Sequence, residues 1–170
     1  MAVKREGKTA CFRAGEAGAR NHVSGPKAIR LCLALKSTME SVSEVEAAAD
    51  KLAAEAGLDD EERFHVAMAV REAAVNAVLH GNEYDSAKQF KASFENTGTA
   101  LVITITDQGK GVDPETLPDP LAPENLMRGT GRGIFLIRSF MDEVRFRQLH
   151  PGTELTLIKN LTPIGKKIIK

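Results

Sequence analysis

The sequence has no surplus of charge: 23 lysines and arginines stand against 23 aspartates and glutamates in 170 residues. Without a global basic field it gives no support for direct nucleic-acid binding. It has only two cysteines, Cys11 and Cys32, too few and too far apart for a metal site or a disulfide framework, which fits a reducing compartment. No apolar run approaches the length of a membrane span, and Met1 to Ser24 carries basic residues without the apolar core of a secretion signal. The expectation is a cytoplasmic protein that does not engage a membrane. The motif G-x-x-x-x-G-K-[ST] is missing, which excludes a P-loop nucleotide site, and H-R-D and D-F-G are missing, which excludes an ordinary protein kinase. There is no internal repeat and no low-complexity segment.

The most informative stretch that is present runs from Phe64 to Asn82, FHVAMAVREAAVNAVLHGN. Between Val66 and Leu79 only Arg71, Glu72 and Asn76 interrupt an apolar run, which describes a buried helix. Glu72 and Asn76 are four residues apart and share one face of that helix. A carboxylate taken out of water needs a partner or a function. The pair either bonds a neighbouring loop or forms a site, in which the Asn76 oxygen suits magnesium and Glu72 polarises a nucleophile.

A chain of this length suits one domain with tails. Residues 1–27 read as a flexible N-terminal tail, residues 28–160 as the folded domain, and residues 161–170 as a short basic tail. Ile29 to Lys36 alternates as a strand, with Leu31, Leu33 and Leu35 on one face. Ser41 or Ser43 caps an amphipathic helix through Val45, Ala49, Leu52 and Ala56, closed by Gly57. Asp59 or Asp60 caps the central helix, which stops at Gly81. Phe90 to Glu95 and Leu101 to Thr106 form a hairpin about Asn96-Thr97-Gly98-Thr99. Asp107 shares parity with Leu101, Ile103 and Ile105, so the second strand delivers a carboxylate onto its apolar face.

A loop to about Arg128 follows. It contains four of the seven prolines and reads as a lid or binding loop. Gly129-Thr130-Gly131-Arg132-Gly133 then leads into a helix from Ile134 to Met141. Strands over about Val144 to Leu149 and Thr153 to Ile158 flank the Pro151-Gly152 turn. The element order predicts an α+β fold, a two-layer sandwich of a mostly antiparallel sheet with helices on one face.

A helix bearing E-x-x-x-N, a strand ending D-x-G-x-G, a lid, a G-x-G-x-G helix start and a final Gly152-Thr153 resemble the N, G1, G2 and G3 boxes of the GHKL ATP-binding superfamily. EAAVNAVLHGN, DQGKGVDP, GRGIFLIRSFMDEV and PGTELTL are most similar to one branch, the anti-sigma factor serine kinases of the RsbW type. The likeness covers about residues 28 to 160.

The resemblance implies ATP and magnesium as cofactors, with Asn76 on the metal and Glu72 as general base. It implies that Asp107 accepts from the adenine amine, assisted by Thr153 through water, and that Gly109 and Gly111 allow the backbone close to the base. Gly129, Thr130, Gly131 and Gly133 would offer backbone N–H groups to the triphosphate at a helix start. Asp107 has a plainer alternative, a turn aspartate bonding its own backbone, and Thr153 that of an ordinary core threonine. Arg128 and Arg132 either reach the terminal phosphate or stand as exposed charges. His80 reads as a hydrogen-bonded helix end, and Phe140 to Val144 as packing and a turn.

The implied partners are a sigma factor, an antagonist protein of the STAS type carrying the acceptor serine, and a second copy in a homodimer. Two other functions stay open: an ATP-dependent binding switch without catalysis, and a detached histidine-kinase ATPase domain. No phosphoacceptor helix hairpin is present in the sequence, and retention of both Glu72 and Asn76 favours the enzyme.

Overall fold

In the computed structural model, the described residues are 29–111 and 132–161. The first strand, β1 (Ile29–Lys36), is followed by α1 (Met39–Glu55) and α2 (Asp60–Asn76), the last continued by one π-helical turn (Ala77–Gly81). Then come β2 (Gln89–Asn96), β3 (Ala100–Thr106), α3 (Arg132–Phe140), β4 (Glu143–Gln148) and β5 (Thr153–Asn160). The sheet order is β1-β2-β3-β5-β4, and every ladder is antiparallel. The expected α+β sandwich is the observed fold.

Alternation makes the sheet one-sided. Ala92 lies opposite Ile105 and Phe94 opposite Ile103, which in turn faces Leu157, and all five are buried. Helices cover this face. In α1 the buried residues are Val42, Val45, Ala49, Leu52 and Ala53, and in α2 they include Val66, Ala69, Val70, Ala73 and Ala74. The small alanines let α2 lie close to the sheet and to α3, whose Ile137 is fully buried. Arg63 fixes α2 against α1, its Nε and Nη2 donating to the two oxygens of Asp50 at 3.1 and 3.0 Å. Arg71 adds a 2.7 Å bond to Glu46.

Some boundaries differ from the sequence reading. The cap of α1 is Thr38, in extended backbone, and its hydroxyl accepts from the Ser41 N–H at 3.3 Å. Ser41 therefore sits in the first turn, and Ser43 lies within the helix, where its hydroxyl donates to the Met39 carbonyl. Asp59 caps α2 as expected, accepting from the Glu62 N–H at 3.0 Å, and Gly57 takes the left-handed φ of +84° after α1. On β1, Leu33 is buried but Leu31 is exposed, because β1 is an edge strand. β5 runs on to Asn160, paired with Ala100. Helix α3 is shifted from its expected span, beginning at Arg132.

Candidate functional site

The site lies between the C-terminal half of α2, the start of α3 and the ends of β3 and β5. Glu72 and Asn76 are half-buried on α2. A Cβ added to Gly133 would stand 2.9 Å from Glu72 Oε2 and 3.5 Å from Asn76 Nδ2. The first turn of α3 thus presses on the carboxylate and amide, and only glycine leaves room for them. Nδ2 of Asn76 is buried and has no hydrogen-bond partner among the described residues. An amide can turn end for end without changing shape, so either end of this group could take a partner beyond the described residues, a metal suiting the oxygen or an anion the nitrogen. Glu72 has no ion pair among the described residues.

The second half of the site gathers around Asp107, which is buried as its parity on β3 predicted. Its Oδ1 accepts from the Gly109 N–H at 2.8 Å and the Thr153 N–H at 3.2 Å, and its own N–H donates to the Thr153 carbonyl at 3.0 Å. The turn reading of this aspartate is therefore observed, and it leaves room for the other. Oδ1 makes the turn bond, while Oδ2 has no donor among the described residues and is free to accept one from a ligand. Burial pushes the Asp107 carboxyl above the usual aspartate range, against the opposing pull of the Gly109 and Thr153 donors and the Lys88 charge.

Glycines admit this arrangement. A Cβ on Gly109 would collide with the Gly81 carbonyl, and one on Gly152 with the Asp107 carbonyl. Gly111 has a φ of +85°, with the Gly152 carbonyl 3.0 Å from where its Cβ would be. Thr153 is buried beside Asp107, and its backbone N–H donates to Asp107 Oδ1.

Of the remaining expected site residues, Arg132 is exposed at the first turn of α3. Arg128, Gly129, Thr130 and Gly131 lie outside the described residues, as do the lid after Gly111, the N-terminal tail and the C-terminal tail beyond Leu161. His80 is exposed in the last turn of the π-helical segment, at the helix end expected of it, which the Asn82 N–H closes by donating to the Ala77 carbonyl at 2.8 Å. Phe140 packs as expected, stacked on His65 at 4.2 Å, and Met141 is buried. The sequence reading took Gly81 only as a helix stop. Its Cα in fact faces the Asp107 carboxyl group, and a Cβ there would stand 2.5 Å from Cγ. Nothing local in H-G-N reveals a contact made with a residue 26 positions later.

The profile of the histidine kinase-like ATPase domain matches residues 35–159. An anti-sigma F factor of Anoxybacillus flavithermus is 35% identical over 107 residues, covering 60% of this chain and 72% of that protein. A serine-protein kinase RsbW of Halalkalibacterium halodurans is 30% identical over 146 residues, covering 82% of this chain and 86% of that kinase. The solved structure of the RsbU and RsbW domains of a Mycobacterium tuberculosis protein matches with a TM-score of 0.55 at 22% identity, over 78% of this chain and 32% of that one, a likeness of fold. No helix among the described residues is long and apolar enough to cross a membrane. With the E-x-x-x-N pair facing a glycine helix start and a buried aspartate offering one open oxygen, the chain belongs to the histidine kinase-like ATPase family, in the branch that holds anti-sigma F factors and RsbW serine-protein kinases.

Proposed function

We propose that the protein is an anti-sigma factor that binds magnesium ATP and phosphorylates a serine on a separate STAS-type antagonist, thereby controlling capture or release of a sigma factor in the cytoplasm. The observation that carries this reading is the meeting of Glu72 and Asn76 with Gly133. It brings a carboxylate, an unmatched buried amide and a helix start into one place. Bound magnesium ATP would supply the transferable phosphoryl group, with the metal offsetting charge on the phosphates.

The chain's own residues do the rest. Asn76 would hold the metal through its side-chain oxygen. Asp107 would accept the adenine amine at Oδ2, with Oδ1 already fixed by two backbone donors. Glu72 would take the proton from the incoming seryl hydroxyl as its oxygen bonds to phosphorus and ADP departs, so that the proton ends on the carboxylate. Gly129, Thr130, Gly131, Arg128 and Arg132 are proposed at the phosphates, and a second copy as the partner in a homodimer. The phosphoserine would carry about two negative charges at neutral pH, enough to disrupt a close contact with this protein.

The test is Glu72→Gln, with ATP binding followed by calorimetry and transfer followed by label on the antagonist. The expected result is near-parental ATP affinity with transfer lost. Transfer at the parental rate would overturn the general-base role. Acid-stable label on the antagonist supports a serine acceptor, whereas acid-labile label would move the reading to a histidine-kinase ATPase domain. Tight ATP binding with no label from the parent chain would move it to a non-catalytic switch.

A further inference from the structure

Asn82, just beyond the π-helical turn, is a polar side chain with no solvent exposure. Its Nδ2 donates to the Gln89 carbonyl at 3.0 Å and to the Ser37 hydroxyl at 2.6 Å. Its Oδ1 accepts from the Gln108 N–H at 2.8 Å. Continuing the β2–β3 register beyond Lys91 and Thr106 would bring Gln89 opposite Gln108. The ladder ends before that pair. The Asn82 amide stands between the two backbones instead, giving its donor to one strand and its acceptor to the other, as a peptide group would. Gln108 closes the ring, its Oε1 accepting from the Gln89 N–H at 2.8 Å.

An amide inserted in a ladder is a spacer: it holds the end of β3 away from β2 while bonding the Gln89 carbonyl on one side and the Gln108 N–H on the other. The displaced segment is the one that matters, because Gln108 follows Asp107 directly. Held off β2 on one edge, Asp107 continues on the other edge the pairing of β3 with β5: its N–H donates to the Thr153 carbonyl and its Oδ1 accepts from the Thr153 N–H. Gly81, next to Asn82, abuts the same carboxyl group from the other side.

We propose that Asn82 is a positioning residue for Asp107 and thereby sets the preference of this site for adenine over other bases. The inference rests on the nucleotide reading above. Guanine carries a carbonyl where adenine carries the amine, so discrimination depends on Oδ2 of Asp107 standing where the amine must donate. Serine, threonine or a hydrophobic residue at position 82 cannot bond both strands at amide spacing.

The experiment measures binding of magnesium ATP and magnesium GTP, thermal stability, and KM and kcat for ATP, in the parent chain and in Asn82→Ala, Ser37→Ala and Gln108→Ala. Ser37→Ala removes one partner of Nδ2 without touching the bonds to β2 and β3, and so serves as the structural control. It should lower the melting temperature while keeping the parental ATP-to-GTP ratio. Asn82→Ala should weaken ATP about tenfold, as expected for misplacing one hydrogen bond to a charged acceptor, with GTP unchanged. The loss should fall on KM, with kcat at saturating ATP within about twofold of the parent.

A parental ATP-to-GTP ratio in Asn82→Ala, or an equal loss of the ratio in Ser37→Ala, would overturn the proposal. If Asn82→Ala does not fold, Gln108→Ala decides, since its side chain is exposed and its removal opens the same ring. A fall of about threefold in the ratio supports the inference, by the weaker effect of a solvated bond, and an unchanged ratio refutes it. A parent chain that binds no ATP would overturn the nucleotide reading itself, and this inference with it.

Discussion

Replacing Gly81 by alanine sets two opposed effects against each other. Gly81 is helical and is not among the glycines with positive φ, so alanine there would ordinarily stabilise by about 0.5–1 kcal/mol. Against this, the new Cβ would stand 2.5 Å from Asp107 Cγ, 2.7 Å from Oδ2 and 2.8 Å from Cβ, where ordinary contact needs about 3.5 Å or more. The carboxyl group cannot simply turn away, because both backbone donors hold its Oδ1. Overpacking of this kind costs about 1–3 kcal/mol, more than the propensity gain. The net loss should be about 1–2 kcal/mol, a fall of about 2–8 °C in melting temperature by calorimetry. Because the displaced atom is the one left open for a ligand, ATP affinity should fall by about tenfold or more. Gly57→Ala is the control: nothing lies within 4 Å of its Cβ, but its φ is +84°, so it should cost about 1 kcal/mol and leave ATP affinity unchanged. A Gly81→Ala protein as stable as the parent, with parental ATP affinity, would refute the reasoning.

Two further substitutions separate stability from binding. Asn76→Leu removes a buried amide nitrogen that has no partner among the described residues, so chemical denaturation should show stability unchanged or raised by up to about 1 kcal/mol, while titration shows magnesium-dependent ATP binding lost; a loss of stability above about 2 kcal/mol would mean the amide is bonded in the free protein. In Asp107→Asn the two backbone donors fix the amide oxygen, leaving the NH2 at the former Oδ2, where it meets the adenine amine donor to donor, and adenine binding should fail. The pH dependence follows from burial raising the Asp107 carboxyl. Its contribution to stability is complete below the unfolded value of about 3.9 and is lost as pH rises through the higher folded value. ATP binding needs the open acceptor and should strengthen over that same rise in the parent, and the stability dependence should be absent from Asp107→Asn, so that the difference between the parent and variant stability profiles isolates it.

Much of the fold was legible in the sequence because its cues are local. The period of two in Phe90, Ala92 and Phe94, and the turn chemistry of Asn96-Thr97-Gly98-Thr99, specify a hairpin without reference to anything else. The parity that carried Asp107 onto the apolar face needed only the strand it ends. The capping of α1 was missed because Thr38, Ser41 and Ser43 are all competent caps, and the choice depends on where β1 releases the chain. The left-handed backbone of Glu83 and Tyr84, at φ of +56° and +57°, has no glycine or asparagine to announce it. Spacing brought Glu72 and Asn76 to one face, but the contact with Gly133 comes from packing of α3 on α2. The roles of Gly81 and Asn82 arise from meetings across 26 residues of chain, which no local pattern encodes.

The costly features of the described chain lie near one another. Asn76 buries an unmatched nitrogen, Asp107 keeps an oxygen without a donor where burial disfavours its charge, and Glu83 and Tyr84 hold left-handed backbone just after Gly81. Each is a feature that a sequence shaped for stability alone would replace, at a saving of about 1–3 kcal/mol apiece. Elsewhere local propensity, capping and burial agree: α1 and α2 carry proper caps, and the sheet face is uniformly apolar. Conflict confined to the end of α2 and the strand ends beside it is what a binding site predicts, because a ligand that supplied the missing acceptor and donor would offset the cost only there. It also accounts for the glycines at 81 and 133, which adjoin Asp107 Oδ2 and the Glu72–Asn76 pair, since open polar atoms stay open only if no neighbouring side chain fills the space. The fold therefore holds the two halves of the site ready without satisfying them. On the proposed reading, Asn76 and Asp107 would serve opposite ends of one nucleotide, with Glu72 beside the metal end to receive the proton.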